Sequence, residues 1–396
     1  MHILTINAGS SSLKAKYFED LESVASILIE EIGSSSSKAT LNYNSQTFSI
    51  TRHIPTHNEA IKATKELFEK AGISDKLLGL DAIAHRVVHG ASLYYKPTRI
   101  TPQVIKDLKS ISHLAPLHNP VNIEAIEIFA KEFTSTPQVA IFDTAFHHTI
   151  PSYAHTYALP QDITNKYHIQ RYGFHGISYA YTTHKASELL DIAQDSINLI
   201  SLHLGNGASI TAIKDGKSVD TSMGMTPLAG LVMGSRCGDI DVGIVPYLAS
   251  QGYSIEQIDD ILNHQSGLMA LFGSNDIRLI TQEYYNHNPQ AIKTLQIYTY
   301  EIVKYIGSYL AVLPKVDAIV FSGGVGENSS LIRELVIKQL SCLNIQLDSK
   351  ANETSSTNPR LISSPSSPSS PSSSIAVAVI PTNEELQMAR ESLMVL

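Results

Sequence analysis

Ile3-Leu4-Thr5-Ile6, then Asn7-Ala8-Gly9-Ser10-Ser11-Ser12, then Leu13-Lys14-Ala15-Lys16-Tyr17 is the stretch that decides the fold. The first run is apolar and rich in β-branched residues, and the last alternates like a half-buried strand. A small polar turn between two strands makes a hairpin whose tip is crowded with N–H and hydroxyl donors. Such a tip suits an anion, and Lys14 adds a positive charge. The device recurs past the middle of the chain. Leu199 to Leu204, with His203 next to last, reads as a strand broken at Gly205-Asn206-Gly207. It resumes as Ala208 to Ile213, and Asp215-Gly216 then signals a further hairpin. One strand–turn–strand unit in each half points to an internal duplication.

A chain of 396 residues is too long for one ordinary core, so two domains are expected. Its 43% apolar content is normal for a globular protein. The formal charge of −8 comes without a basic block, which argues against nucleic acid and anionic membrane as partners. No apolar run reaches membrane-spanning length. The chain enters a strand without a charged leader or cleavage site, so a cytoplasmic location is expected. Two cysteines, Cys237 and Cys342, make neither a C-x-x-C pair nor a disulfide framework. The sixteen histidines show no metal-site spacing.

Residues 34 to 58 predict further strands and loops at a sheet edge, and Glu59 to Lys70 a helix. Asp81 to Ala84 predicts a buried strand that delivers His85-Arg86-Val87-Val88-His89-Gly90. Arg86 is either an edge ion pair or an anion contact. His113 to Pro120 is a Pro-bounded loop before a helix with Ile123, Ile126, Phe129 and Phe133 on one face. Val139 to Phe142 predicts a strand ending in Asp143. A carboxylate there is either where α/β sheets place ligand groups or a helix cap. Adjacent His147-His148 read as structural. In Arg171-Tyr172-Gly173-Phe174-His175-Gly176, glycines let the backbone approach a ligand and aim the imidazole. Tyr179 to Leu190 predicts a helix. Gly234-Ser235-Arg236-Cys237-Gly238-Asp239-Ile240-Asp241 predicts either a buried salt-bridge knot or an anion clamp held by its own acids.

Leu295 to Leu313, apolar at 295, 298, 302, 306, 309 and 313, predicts a long helix stopped by Pro314. Ala318 to Phe321 predicts a buried strand running into a Gly-rich turn, Ser322 to Asn328, on which a nucleotide can lie against bare backbone. Neither G-x-G-x-x-G nor a P-loop motif occurs, which disfavours dinucleotide-binding and P-loop enzymes. Ser363 to Ser374 is a Ser/Pro repeat and reads as a flexible surface loop. After a strand at Ala376 to Ile380, Thr382-Asn383-Glu384-Glu385 reads as a capping box with Thr382 as cap and Glu385 answering. The last helix is expected to bury Leu386, Ala389, Leu393 and Leu396.

Together these stretches resemble the acetate kinases, within the larger group of acetate and sugar kinases, Hsp70 chaperones and actin. The matching segments are N-A-G-S-S-S-L-K (7–14), H-R-V-V-H-G (85–90), A-P-L-H-N-P (115–120), F-D-T-A-F-H (142–147), Y-G-F-H-G (172–176), H-L-G-N-G (203–207), D-T-S-M-G (220–224), S-N-D-I-R (274–278), G-G-V-G-E-N (323–328) and P-T-N-E-E-L (381–386). They follow the family's order across nearly the whole chain. Ala91 stands where a second Gly is usual, Ala229 for Glu, Cys237 for Ser and Val242 for Pro.

The resemblance implies an α/β, two-domain, duplicated βββαβαβα fold of the actin-like, ribonuclease H-like kind, with an interdomain active-site cleft. Residues 1–147 plus a returning helix at 384–396 would form one domain, and 148–383 the nucleotide-binding and dimerisation domain of a homodimer. The implied reaction is reversible transfer of the ATP γ-phosphoryl group to acetate, giving acetyl phosphate and ADP. Acetate is already an anion, so no general base is needed; charge on the transferring group must be neutralised. Arg86 and Arg236 would do this, His175 would donate to the phosphoryl group and Asp143 would position reacting groups. Asn7 and Glu384 would hold Mg2+, or Mn2+ in its place. Val88, Leu117, Phe174 and Pro227 would form the methyl pocket; Val88, two residues from Arg86, would share its face in an extended segment. ATP or ADP would contact Lys14, His203, Leu204, Gly205, Asn206, Gly207, Asp276, Ile277, Arg278, Gly324, Val325, Gly326, Glu327 and Asn328. The rivals are a propionate or other short-chain carboxylate kinase and, more distantly, a nucleotide-gated binding protein of the Hsp70 or actin kind.

Overall fold

Each of the two strand–turn–strand segments seeds its own mixed sheet. The computed structural model describes residues 1–116, 118–363 and 375–396. It falls into two compact units, Met1–Ala145 with Asn383–Leu396, and Phe146–Thr382.

In the first unit the strands are β1 (His2–Ala8), β2 (Leu13–Glu19), β3 (Glu22–Glu30), β4 (Ser37–Tyr43), β5 (Gln46–Arg52), β6 (Ala82–Val87), β7 (Thr98–Arg99) and β8 (Gln138–Phe142). They lie in the order β5-β4-β3-β2-β1-β6-β8-β7. β1 and β2 are antiparallel, whereas β1, β6 and β8 run parallel. The register sets Ile6 beside His85 and Val87 beside Phe142. Parallel alignment therefore brings the carboxyl ends of these three strands to one edge. The helices His57–Lys70, Asn119–Glu132 and Glu384–Ser392 pack on this sheet. Tyr17, Phe68 and Phe129 are the bulkiest members of the core between them.

The second unit holds β9 (Leu199–Leu204), β10 (Ala208–Lys214), β11 (Lys217–Thr221), β12 (Ala318–Ser322), β13 (Arg360–Leu361) and β14 (Ala376–Val379), ordered β11-β10-β9-β12-β14-β13. β11-β10-β9-β12-β14 repeats the order and directions of β3-β2-β1-β6-β8. This is the duplicated α/β arrangement that the sequence implies. The two hairpin turns are closed alike, by Gly9 N–H on Ser12 O and by Gly205 N–H on Gly207 O. Every residue of β8 and β12 is buried, as expected for central parallel strands. The helix Pro289–Val312 buries Leu295, Tyr298, Ile302, Ile306 and Tyr309, at the predicted spacing. Asp215 and Gly216 both have positive φ, the backbone a tight hairpin turn demands.

Three local expectations are corrected. The Gly-rich stretch is not an open turn: Gly323–Asn328 is a short helix. Gly323 has φ +75 and packs on the Leu204 backbone, where a Cβ would lie 2.7 Å from its carbonyl oxygen. The final helix is capped by Asn383, which accepts from Leu386 N–H, and not by Thr382. The Thr382 hydroxyl instead bonds Ser178 Oγ at 2.8 Å. That helix buries Met388, Ala389 and Ser392 and ends before Leu396, which is exposed; Leu386 and Leu393 are half-buried. The Ser/Pro tract lies outside the described residues from 364 to 374. Among the described residues no helix is long and apolar enough to cross a membrane.

Candidate active site

The carboxyl ends of β1, β6 and β8 bring Asn7, Arg86 and Asp143 together. Arg86 Nε lies 3.1 and 3.2 Å from the two Asp143 carboxylate oxygens, and Nη2 also donates to Asp143. Nη1 donates to Asn7 Oδ1 at 3.1 Å. Asp143 is buried and Arg86 half-buried, so a planar fork is locked against a carboxylate inside the fold. Burial works against the Arg86 charge, but Asp143 outweighs it and the net shift is upward. Glu384, the first residue of its helix, faces the same group. Burial pushes its carboxyl up to about 7, with Arg86 and Lys14 opposing and Asp143 and Glu385 reinforcing the rise. Lys14 is exposed on β2 opposite Asn7, and Lys16 pairs with Glu385.

A divalent cation tests well here. Glu384 is an acid short of compensating charge, and Asn7 adds a carbonyl oxygen. No group of three or more His, Cys, Asp or Glu among the described residues could hold a metal. A carboxylate and an amide carbonyl are the hard oxygen donors that Mg2+ takes beside water and phosphate ligands.

Val88 is buried, but β6 ends at Val87, so strand alternation does not reach it. Its N–H donates to Asn122 Oδ1, and Asn122 Nδ2 to Ala8 O. Asn119 is bonded at both ends to the His89 backbone. These asparagines, on the helix Asn119–Glu132, stitch the β1 and β6 ends together. Sequence reasoning gave them no role, although Asn119 lies in the A-P-L-H-N-P segment; the available signal was two amides one turn apart at a helix start. Leu117 lies outside the described residues.

In the second unit, His175 caps the helix Gly176–Leu190 with φ +58, an unusual conformation for a residue with a side chain. Gly173 before it has φ +72 and no room for a Cβ, which would meet the His147 ring at 2.7 Å. His147 is structural, bonding Ser218 Oγ and Phe174 O. The His175 ring stacks on His203 with centroids 4.3 Å apart. A Cβ built on Gly207 would lie 3.5 Å from His175 Nε2 and 3.6 Å from Arg236 Nη1, so both donors converge on that glycine.

Arg236 is not held by its own acids, contrary to expectation. Gly238 turns the chain at φ +72, and Asp239 accepts instead from Gly230 N–H and Tyr305 OH. Asp241 accepts from Gly243 N–H. Arg236 donates to Pro227 O at 2.9 Å and has no carboxylate partner among the described residues. Burial lowers its pKa. A half-buried guanidinium without a counter-charge is suited to an anion from outside the protein.

Three distant stretches of the second unit enclose a cavity of about 810 Å³. They are Gly205-Asn206, Asn275 to Arg278 with Thr281 and Tyr285 beyond, and Gly324-Val325 with Asn328 to Leu331. Asn206 is seated by Asn275 Nδ2 at 3.3 Å and by Gly234, where a Cβ would overlap its Oδ1. Asp276 caps the helix Ile277–Tyr285 and is held down to about 2 by Arg278, which is exposed at the rim. His203, Leu204, Gly207, Gly326 and Glu327 do not line this cavity. Glu327 accepts from Thr382 N–H and ties the end of β14 to the helix Gly323–Asn328.

A family model, the acetokinase family, matches residues 2–390. An acetate kinase of Sulfurovum sp. (strain NBC37-1) is 45% identical over 394 residues, which is 99% of this chain and 98% of its own. One from Campylobacter jejuni subsp. jejuni serotype O:2 is 45% identical over 98% of both chains. Among solved structures, a propionate kinase from Francisella tularensis aligns over 100% of both chains with TM-score 0.92 and 37% identity. Porphyromonas gingivalis acetate kinase gives 0.91 and 37% over 100% of this chain and 99% of its own.

Proposed function

This chain belongs to the acetokinase family, and from that premise we propose that it transfers the γ-phosphoryl group of ATP to acetate, reversibly, giving acetyl phosphate and ADP. The observation that carries the reading is Arg236, a half-buried cation without a carboxylate partner among the described residues, converging with His175 on Gly207. Phosphoryl transfer asks for positioned donors around equatorial oxygens and little else. Acetate, with a carboxyl pKa of roughly 4, is already ionised and needs no base.

In this reading Arg236 and His175 Nε2 donate to the transferring group, and Arg86 receives the acetate carboxylate. Asp143 spends both oxygens on Arg86, which leaves it a positioning part rather than a proton acceptor. Asn7 and Glu384 would hold Mg2+ borne by the nucleotide, which supplies further charge neutralisation when bound. The nucleotide occupies the 810 Å³ cavity, with Asn206 near its phosphates and Thr281 and Tyr285 farther out. Val88, Phe174 and Pro227 are assigned to the methyl pocket. A cytoplasmic homodimer is proposed on the family resemblance alone.

The test is capture of acyl phosphate as hydroxamate with MgATP and acetate, propionate or butyrate. Product with acetate at the highest kcat/KM supports the reading; none with any acid refutes it. Propionate kinase is the second reading, favoured by the Francisella tularensis relative, and a higher kcat/KM for propionate would select it.

A further inference from the structure

His175 and His203 each end a chain of buried hydroxyls. His175 Nδ1 lies 2.8 Å from Ser209 Oγ, and Ser209 Oγ lies 2.5 Å from Tyr179 OH. His203 Nδ1 lies 2.8 Å from Ser178 Oγ, which meets Thr382 Oγ1 at 2.8 Å. Ser209, Ser178 and Tyr179 are all buried to 1% exposure or less. No segment of the sequence singles out Ser209 or Tyr179, and the reading above gives them no part.

A hydroxyl has one proton to give, so the direction of each chain decides which imidazole nitrogen carries hydrogen. Burial raises the Tyr179 pKa well above that of an ordinary phenol, so its proton stays on oxygen. A phenol is a stronger donor than an alkanol. The favoured order is therefore Tyr179 OH to Ser209 Oγ, then Ser209 OH to His175 Nδ1. Nδ1 becomes the acceptor and Nε2 carries the hydrogen. Nε2 is the atom that faces Gly207 together with Arg236 Nη1. The stacked His203 ring, 4.3 Å away, adds to the case for a neutral His175, since two imidazolium rings at that separation repel.

We propose that Ser209 and Tyr179 are positioning residues that hold His175 as the neutral Nε2–H tautomer, aiming a hydrogen-bond donor rather than a cation at the transferring phosphoryl group. This rests on the kinase reading for its consequence but not for its geometry. Charge at that point then comes from Arg236, and His175 contributes direction. A protonated ring would need Nδ1–H, and the Ser209 hydroxyl would have to turn its own proton away from the ring and accept there instead.

The experiment is 15N NMR of the full chain labelled at histidine, with His175 assigned by its loss in His175→Gln. The expected spectrum at neutral pH has a bare Nδ1 and a protonated Nε2 for His175. Protonated Nδ1, or both nitrogens protonated, overturns the proposal, and this readout needs neither activity nor a stable variant. In Tyr179→Phe the tautomers should mix, and in Ser209→Ala kcat should fall tenfold or more with KM for ATP within about twofold. Ser209→Thr, which keeps the hydroxyl, should recover most of kcat. An unchanged tautomer in Tyr179→Phe, kcat within twofold of wild type in folded Ser209→Ala, or no recovery in folded Ser209→Thr would also overturn it. If the wild type makes no acyl phosphate, the kinase reading fails while the spectrum still judges the relay.

Discussion

Arg86→Ala should damage the protein twice, in stability and in turnover, and the two losses should separate. The Asp143 side chain is 2% exposed and that of Arg86 23%, with the guanidinium doubly bonded to the carboxylate. Removing Arg86 leaves a buried carboxylate without its guanidinium and with the Glu384 carboxyl nearby. Breaking one side of such a pair costs about 3–5 kcal/mol. At roughly 2–4 °C per kcal/mol for a unit of this size, the first unit should melt about 6–20 °C lower. Arg86→Ala/Asp143→Ala leaves no orphan charge and should regain most of that loss. Turnover should not return, because one donor to the reacting groups is typically worth about 3 kcal/mol or more. ATP affinity should stay close to wild type in both variants, since the cavity proposed for it belongs to the second unit. Calorimetric melting, nucleotide titration and hydroxamate kinetics measure the three quantities. A double variant no more stable than Arg86→Ala would refute the mutual dependence. Near-normal kcat in Arg86→Ala would remove Arg86 from the mechanism.

Arg236→Ala should lose about 10²–10³ in kcat while melting within a few degrees of wild type, because no buried carboxylate loses a partner; a melting drop as large as that of Arg86→Ala would expose a hidden ion pair. Ala91 has φ +51, costing about 1–2 kcal/mol for a residue with a Cβ, so Ala91→Gly should gain up to about 1 kcal/mol after the entropy of a freer unfolded chain; denaturant melts would show it, and a loss would contradict the strain. Burial holds His85 down at about 4, against 6.5 when unfolded, so its contribution is whole above pH 6.5 and lost as the pH falls toward 4. Between pH 7 and 5 that is about 2 kcal/mol, and His85→Gln, still able to bond Gln138, should flatten the slope; an unchanged slope would show that His85 titrates alike in the folded and unfolded chain. Val88→Ala should raise the propionate-to-acetate ratio of kcat/KM by roughly 1–3 kcal/mol equivalent; an unchanged ratio in a folded variant would place Val88 in plain core.

Legibility followed locality. The duplicated hairpins were readable because each is a contiguous run with its own period. Asp143 was readable as a strand-end carboxylate because β8 is short, apolar and sharply bounded. Gly205-Asn206 and Gly324-Val325 could be named from Gly-rich turns after strands, whereas Asp276 to Arg278 rested on the family resemblance alone. What failed depended on where a side chain points after a turn. Asp239 follows Arg236 by three residues, yet Gly238 rotates it toward Gly230 and Tyr305. Thr382 satisfies the capping pattern, but Ser178, far away in sequence, claims its hydroxyl and Asn383 takes the role. Asn119 lies within the A-P-L-H-N-P segment and Asn122 in none, and neither could be assigned a role, because their partners are backbone groups of residues 8, 88 and 89.

The duplication also explains why the two units are chemically unlike at equivalent places. In the first, Asn7, Arg86 and Asp143 stand at or just past the ends of the parallel strands, so the sheet edge itself presents charge, already balanced by an internal carboxylate. In the second, His203 and Ser322 stand side by side at the matching ends of β9 and β12, with Gly205 and Gly323 following those strands. That edge carries an imidazole and small side chains in place of the arginine and the carboxylate. Its charge arrives from elsewhere, on a loop at Arg236 and on a helix cap at His175. An edge of small residues leaves room for the cavity beside Gly205 and Gly324, the space proposed for the nucleotide. The charged edge of the first unit is the one proposed for the carboxylate. Grafting Arg86 onto the second edge, as Ser322→Arg, should therefore close the cavity and abolish nucleotide binding rather than create a second acid site. Retained ATP affinity in that variant, if folded, would break the link between a strand end of small residues and nucleotide accommodation.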